Sequence, residues 1–492
     1  MALVPLQLPP GVYRNGTDMQ SPGRWRDASL VRWVEGTMRP VGGFEERLDA
    51  ATTTAPRAAL AWSDLGGDSR IAIGTADGLY SISASGVVTD ITPSGLTAGD
   101  EDAAVNTGYG GGFYGLGYYG TERADTGNYG EATTWALDNW GENLLACSVA
   151  DGVIYEWDLN VANDGVAVTN APVDNASMMV TDERFVFALA AGGNPRAVAW
   201  CDREDNTTWT PATTNEAGDI ELQTSGRIMC GVRARGQALI LTDQDAHSAT
   251  YQGPPFVYGF ERVGTSCGIV SRKAVAVVDA GAFWMGARSF FVYAGGSVEA
   301  IPCDVSDYVF ADINRAQQSK VFAVANAQFG EVWFFYPSGS SNENDRYVVY
   351  SYKEGHWSIG TLGRTCAVDR GVFRRPIWFT SAGVAYNHEV GVNYGDAEIF
   401  AESGPIYIGN GDQVAIATKL VPDEKTQGDT RVLFKTRFHP NDTEREYGPY
   451  SMSNPTSVRF TGRQVRMRIE GVNLADWRVG VPRLEVTAGG LR

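Results

Sequence analysis

The sequence is poor in the residues from which metal and redox sites are usually built. Its 492 residues include four histidines and six cysteines, and no two cysteines stand in CxxC spacing. A zinc site or a thioredoxin-like centre is therefore not expected, and we predict neither a metal nor a cofactor. The cysteines lie singly, most of them in apolar strand contexts, and are interpreted as buried thiols: Cys147, Cys201, Cys230, Cys267, Cys303 and Cys366.

Long apolar runs are absent as well. No stretch approaches the roughly 20 apolar residues of a membrane span. The opening MALVPLQLPPGVYRNG has no basic n-region and no long apolar core. We therefore predict no signal peptide, no membrane span and synthesis in a reducing cytoplasm.

Basic residues are outnumbered by acidic ones. The chain has 40 Lys and Arg residues and 58 Asp and Glu residues, which gives a formal net charge of −18. General nucleic-acid binding requires basic patches that displace counterions, so this balance disfavours it. An acidic protein can still let DNA pass without adhering to it. Solubility is the simpler explanation of the acidic excess.

Catalytic signatures are missing too. There is no GxSxG elbow, no Walker-type loop and no HExxH pattern. His356 stands beside Trp357 at a predicted strand start, which indicates packing, and the other histidines (His247, His388 and His439) are far apart in the chain. We predict no catalytic residue and no enzyme.

One acidic segment is a candidate calcium-binding loop. Asp202–Asn206 reads DREDN, with Glu216 and Asp219 downstream. Calcium loops need spaced oxygen ligands with a closing carboxylate, and this spacing matches no EF-hand. An ordinary turn is the better interpretation.

What the chain does contain is a repeated unit. A hydrophobic strand is followed by a polar turn, often Asp-Gly, then by a strand ending in an aromatic residue and a second turn. Clear copies are Ile71–Ser83, Leu144–Leu159, Phe283–Ile301 and Val332–Ile359. A unit of two to four short strands cannot bury both faces alone, so copies must stack radially, which predicts a β-propeller.

The units fall near 57–93, 132–160, 176–211, 227–263, 270–303 and 319–361, with a partial unit at 364–389. The expected blade count is therefore six, or seven if the partial unit is a blade. The 58 glycines and 11% aromatic residues are typical of an all-β protein with many turns.

Three regions flank or interrupt the propeller, which is assigned to residues 51–394. Residues 1–50 form an extended N-terminal arm with Trp25 and Trp33, which feeds the first blade strand near 37–44. A Gly/Tyr-rich insertion at 105–130 contains Tyr114, Tyr118 and Tyr119. It is either a flexible surface loop or a loop that orders against a neighbouring subunit.

Residues 395–492 are predicted to form a smaller β-sandwich-like platform. Arg431–Phe438, Ser457–Phe460 and Val465–Ile469 alternate with period two, which gives one buried face and one face bearing arginine. The basic face suits an acidic partner, a second subunit or DNA phosphate. Protection of strand edges by charge explains it equally well.

Four segments carry a resemblance to a known family. They are LPPGVYRNGTDMQSPGRWRDASLVRWVEGTMRPVGGF (8–44), GYGGGFYGLGYYG (108–120), CDREDNTTWTPATTNEAGDIEL (201–222) and FTGRQVRMRIEG (460–471), and the stretch 231–314 has the same character. Together they amount to about a third of the chain and are spread from residue 8 to residue 471. It resembles the tail nozzle, or tail hub, proteins of short-tailed bacteriophages, in the family named for stabilising packaged DNA.

This resemblance implies a structural protein of the virion tail that is assembled in the host bacterial cytoplasm. Such a protein forms a hexameric ring below the portal and adaptor, extends the DNA channel, helps to retain and eject the genome, and docks fibres or spikes. The resemblance also implies that each subunit carries a β-propeller on the outside and a smaller β domain that builds the channel wall. Double-stranded DNA passes through the channel of such a ring without sequence-specific binding. We take as candidate subunit or adaptor contacts Arg437, Arg459, Arg466, Arg468, Tyr114, Tyr118, Tyr119, Trp25 and Trp33.

Two other functions stay open at this point. A receptor- or carbohydrate-binding propeller would expose Trp and Tyr at its blade tips. A polysaccharide-degrading propeller enzyme would bring carboxylates together with a His or Tyr in one cleft.

Overall fold

The computed structural model describes residues 2–47, 52–103, 130–408, 413–472 and 475–490. This part of the chain is almost entirely β-structure. Its helical segments are the α-helix Ser306–Asp312 and the 3-10 turns Asp18–Gln20, Ala191–Gly193 and Arg315–Lys320. None of these helices is long and apolar enough to cross a membrane.

Seven four-stranded antiparallel sheets form the blades of a propeller. The innermost strand of each blade contacts that of the next, and the innermost strand of blade 7 contacts that of blade 1, so the ring is closed. The all-β propeller predicted from the repeats is confirmed, with seven blades, the larger of the two expected counts.

The first four blades follow one another along the chain. Their strands, from the inside outwards, are Ala58–Ser63, Ser69–Gly74, Leu79–Ser83 and Val88–Asp90 in blade 1; Trp135–Trp140, Asn143–Ser148, Ile154–Trp157 and Val166–Ala167 in blade 2; Ser177–Val180, Val186–Leu189, Ala197–Trp200 and Gly218–Glu221 in blade 3; and Ile228–Ala234, Gln237–Thr242, Asp245–Gly253 and Val257–Thr265 in blade 4.

The remaining three blades complete the ring. Their strands are Val275–Val278, Gly281–Met285, Phe290–Tyr293 and Val298–Ile301 in blade 5; Phe322–Asn326, Glu331–Pro337, Asn344–Ser351 and His356–Thr361 in blade 6; and Cys366–Val368, Ile377–Phe379, Ala385–His388 and Phe44–Glu46 in blade 7.

Blade 7 takes its outermost strand from the N-terminal part of the chain. Phe44 pairs with His388 and Glu46 pairs with Tyr386. The sequence predicts that the arm feeds the first blade near 37–44, but Phe44–Glu46 belongs to the last blade and Thr37–Pro40 pairs with Val31–Val34. The physical reason is that a ring must be sealed by non-local pairing, and a strand that precedes blade 1 can supply the missing edge of the last blade.

The platform consists of two antiparallel sheets built from both ends of the chain. The four-stranded platform sheet has the order Ala2–Pro5, Arg483–Ala488, Ala415–Val421 and Thr456–Gly462. The six-stranded platform sheet has the order Trp25–Ser29, Phe400–Ser403, Gln464–Gly471, Thr430–Arg437 and Arg445–Ser451, with Ile406–Tyr407 also paired to Gln464–Gly471.

The N-terminal arm is thus divided between platform and propeller. A hairpin of Val31–Val34 and Thr37–Pro40 lies between them. Its two turn residues, Glu35 and Gly36, have φ of 52° and 75°. Positive φ at both central positions is typical of the two-residue turns that match strand twist, and glycine adopts it without strain.

One buried apolar cluster joins the propeller to the platform. It includes Trp284 of blade 5, Trp357 of blade 6 and Phe434 of the six-stranded platform sheet, none of them more than 1% exposed. Backbone hydrogen bonds reinforce the contact, since the Val12 N–H donates to the Trp357 carbonyl at 2.7 Å. Continuous burial of this kind favours a fixed orientation of the platform relative to the propeller.

Candidate functional site

The basic face predicted for the platform lies on the six-stranded sheet. Strands Thr430–Arg437 and Gln464–Gly471 are neighbours, with Lys435 opposite Arg466 and Leu433 opposite Arg468. Val432, Phe434, Met467 and Ile469 point into the core, so the alternating basic residues share the other face. The strand pattern expected from the sequence is confirmed here.

That basic face is covered by acidic side chains of the same subunit. Arg466 Nε lies 3.0 Å from Glu444 Oε1, and Arg466 also pairs with Asp18 and, at 3.5 Å, with Glu402. Lys435 Nζ lies 2.8 Å from Glu402 Oε2. The acids come from the N-terminal 3-10 turn, the strand Phe400–Ser403 and the loop before Arg445, which are distant in sequence.

Arg437 and Arg468 belong to the same ion cluster. Arg437 Nε donates to Gln464 Oε1 at 2.7 Å, and its side chain is 7% exposed. Arg468 Nη2 lies 2.9 Å from Glu398 Oε2, and its guanidinium stacks on Phe400. Burial raises the pKa of the Glu470 carboxyl, but hydrogen bonds from Arg468 and Arg431 leave it below its usual value.

Three of the four candidate interface arginines, Arg437, Arg466 and Arg468, are therefore engaged within the subunit. The structure assigns them to holding the platform together, because the folded chain brings carboxylates to them that no local sequence pattern reveals. Arg459 is different. It is exposed on Thr456–Gly462, an edge strand of the four-stranded platform sheet, and pairs with no acid in the described ranges.

Trp25 and Trp33, the two candidate tryptophans of the arm, are buried inside the subunit at 5% and 3% exposure. Their rings are 5.9 Å apart. Together with Met38, Met467 and Ile469 they line a cleft of about 390 Å³ between arm and platform. The arm aromatics therefore pack on the chain's own platform and, through Trp33, on His356 of blade 6. Tyr114, Tyr118 and Tyr119 lie outside the described residues.

A buried ion triad was missed from the sequence. Arg32 Nη2 lies 2.9 Å from Glu331 Oε2 in blade 6, and Arg32 Nη1 donates to Glu389 Oε2 at 3.0 Å. All three side chains are at most 7% exposed. The signal in the sequence was a lone arginine inside the apolar strand Val31–Val34, since a charge in such a position requires buried partners.

Among the described residues, no strand pairs with the outer edges of the platform sheets. Arg445–Ser451 ends the six-stranded sheet, while Ala2–Pro5 and Thr456–Gly462 end the four-stranded one. Leu3 on the first of these edges is 54% exposed. Edge strands carry unsatisfied backbone donors and acceptors, so they are natural sites for pairing with another chain.

Two of the histidines, His356 and His388, occupy packing positions. His356 meets Trp33 edge-on, and burial lowers its pKa. His388 stacks on Trp378 with a centroid distance of 3.9 Å, and its Nε2 accepts a hydrogen bond from Arg364 Nε at 3.0 Å.

The acidic turn shows turn chemistry, since the Asp205 carboxylate accepts hydrogen bonds from Thr207 and Thr208. Across the ranges that the structure describes, no three His, Cys, Asp or Glu side chains are grouped as metal ligands.

Comparison with known proteins identifies no family. No family model and no curated protein matches the chain. Among solved structures, virginiamycin B lyase from Staphylococcus aureus is 8% identical, with 70% of this chain and 98% of that chain covered and a TM-score of 0.45. BamB from Moraxella catarrhalis is 9% identical, with 73% and 93% covered and a TM-score of 0.40.

A fungal alcohol oxidase solved in complex with copper is also similar, at 9% identity, with 92% of this chain and 97% of that chain covered and a TM-score of 0.42. Likenesses at these scores carry no argument about activity. The propeller assignment depends on the chain's own closed ring of blades.

Proposed function

We propose that this protein is the tail nozzle of a short-tailed bacteriophage. In this role it is a structural component of the virion, not an enzyme. Six copies form a ring below the portal and adaptor, extend the channel through which double-stranded DNA passes, and carry fibres or spikes. The protein is made in the host cytoplasm and acts in the virion tail.

The observation that supports this proposal best is the way the platform is built. Strands Ala2–Pro5 and Trp25–Ser29 from the N-terminal arm complete sheets formed by the last hundred residues. The segments that carry the family resemblance, 8–44 and 460–471, therefore meet in one body. A rigid propeller joined to a small β platform is the two-part subunit that the resemblance implies.

Charge and free edges are consistent with the same role. A net charge of −18 repels phosphate, which favours passage of DNA without retention on the wall. A closed ring needs two different complementary surfaces on each subunit. The unpaired edge strands Arg445–Ser451 and Ala2–Pro5 are candidates for those two surfaces.

The test is electron cryomicroscopy of the purified chain, alone and mixed with portal–adaptor rings. We expect six-fold tubes that extend those rings, with the platform at the subunit contacts. Isolated propellers under both conditions, together with saturable binding of the free chain to host cells, would instead indicate a receptor-binding module. Cleavage of host polysaccharide by the free chain would indicate an enzyme.

A further inference from the structure

The centre of the propeller contains a cavity of about 370 Å³ that the proposed function does not use. It is bounded by the innermost strands of blades 1 to 5. Most of its lining is apolar, including Leu60, Met178 and Met179. Its charged lining consists of Asp138, Arg233, Arg272 and Lys273.

Both arginines have a carboxylate partner. Arg233 Nη2 donates to Asp138 Oδ1 at 2.8 Å, and Asp138 Oδ2 accepts the backbone N–H of Val180 at 2.9 Å. Arg272 pairs with Glu131, and its Nε donates to the Ala176 carbonyl at 3.1 Å. Within each pair the two charges cancel; Glu131 also contacts Arg227, which has Asp243 as a second partner.

Lys273 is the exception. Its ammonium has no hydrogen bond or ion pair with any residue of the described part of the chain, although its backbone is held in place. The Lys273 N–H donates to Ser271 Oγ at 3.2 Å, and its carbonyl accepts the Ala323 N–H at 2.8 Å. The backbone from which this side chain extends into the cavity is therefore held by its neighbours.

The one carboxylate among the groups near the Lys273 ammonium is that of Asp138, which already pairs with Arg233. The other groups include the thiols of Cys230 and Cys366, on the innermost strands of blades 4 and 7. Burial raises the pKa of Cys230 to about 12 and raises that of Cys366 further, so both are uncharged at neutral pH. Burial also lowers the pKa of Lys273.

We propose that this axial cavity binds a compact oxyanion, of the phosphate or small-carboxylate type, through the ammonium of Lys273. With two balanced pairs and one unpaired lysine, the lining has one excess positive charge. An unpaired cation against a largely apolar lining is costly, whereas a charge-assisted hydrogen bond to an oxyanion reduces that cost. Solvent reaches the cavity, since the side chain of Arg233 is 40% exposed and Val277 is 41% exposed.

Calorimetric titration of the purified full chain tests this proposal. Inorganic phosphate and succinate serve as separate probes at neutral pH and constant ionic strength. We expect saturable binding of at least one probe, and the preferred probe identifies the class of oxyanion. Lys273→Met should weaken that binding by about tenfold or more. Lys419→Met, which removes an exposed platform lysine, is the matched control and should bind as the parent does.

Thermal unfolding separates this role from a merely structural one. In buffer without oxyanion, Lys273→Met should melt no lower than the parent, because it removes a half-buried unpaired charge. The preferred oxyanion should raise the melting temperature of the parent but not that of the variant, and equimolar chloride should raise neither. Absence of saturable binding by either probe, or equal binding by Lys273→Met, would overturn the proposal.

Discussion

Arg32 of the N-terminal hairpin forms a buried ion pair with Glu331 of blade 6, with 2.9 Å between Nη2 and Oε2. The arginine side chain is 4% exposed and the glutamate 7%. Glu331 also accepts a hydrogen bond from Trp333 Nε1 at 3.0 Å, and Arg32 stacks on Phe329. The pair thereby fixes the arm to the propeller at a point that is shielded from solvent.

Removing one partner of this pair should strongly destabilise the protein. Arg32→Met leaves two buried carboxylates without a counter-charge, and we expect a loss of about 3–5 kcal/mol in the free energy of unfolding. Urea unfolding followed by tryptophan fluorescence measures it. Arg196→Met breaks an ion pair whose side chains are 45% exposed, and as a control it should cost about 1 kcal/mol or less. Equal losses in the two variants would contradict the assignment.

The platform arginines should separate into two classes. Arg466→Glu places a carboxylate among Asp18, Glu402 and Glu444, so we expect a loss of about 3 kcal/mol or more in unfolding free energy. Arg459→Glu changes an exposed edge position and should leave unfolding within about 0.5 kcal/mol of the parent.

Ring assembly, unlike unfolding free energy, should be sensitive to the substitution of Arg459. If the edge strand of Arg459 contacts a neighbouring subunit, Arg459→Glu should abolish rings on portal–adaptor complexes while the monomer stays folded. Arg288→Glu, at an exposed position in a propeller turn, is the control. Intact rings with Arg459→Glu would remove this residue from the interface.

Stability should fall in acid partly through Glu343. Burial raises the pKa of this carboxyl, but hydrogen bonds from Arg57 at 2.7 Å and Lys320 at 2.6 Å leave it below its usual 4.5. A folded-state pKa below the unfolded one gives stabilisation that is complete above the unfolded value and is lost as pH falls through the folded value. The difference in urea midpoint between parent and Glu343→Gln should be largest above about pH 5 and shrink towards about pH 3. A difference independent of pH would contradict this assignment.

The strand that closes blade 7 should contribute measurably to stability. Phe44 contacts His388 and Tyr386 with centroid distances of 5.3 and 5.9 Å. Because Phe44 is half-buried, Phe44→Ala should cost about 2 kcal/mol, less than truncation of a fully buried phenylalanine, and should speed proteolysis near the N-terminus. Phe256→Ala, at a hairpin tip that is 76% exposed, should have almost no effect on either measurement.

All six cysteines should be reduced and slow to react in the native protein. Each is a free thiol, and five are buried. Burial raises the pKa of Cys147, Cys201 and Cys303 to about 12 and that of Cys267 to about 11. Alkylation followed by mass spectrometry should find little labelling until denaturant is added. Rapid labelling of several thiols in the native state would show that the blades open more readily than this packing allows.

The chain's local patterns were sufficient to establish its fold class. The alternation in Arg431–Phe438 and Val465–Ile469 specifies strands with one apolar face, because successive side chains point to opposite sides. Repeated strand–turn units such as Ile71–Ser83 specify blades, because no single unit can bury its own faces. The burial of the cysteines and the packing of His356 also followed from their immediate neighbours in sequence.

Only the tertiary structure decided which distant residues meet. Pairing of Phe44 with His388, of Arg32 with Glu331 and of Arg466 with Asp18 joins residues more than 290 positions apart. Such contacts depend on ring closure and on how the arm crosses the platform, which no short-range period encodes. An arginine on an alternating strand therefore reads the same in sequence whether it faces solvent, as Arg459 does, or a carboxylate of its own subunit, as Arg466 does.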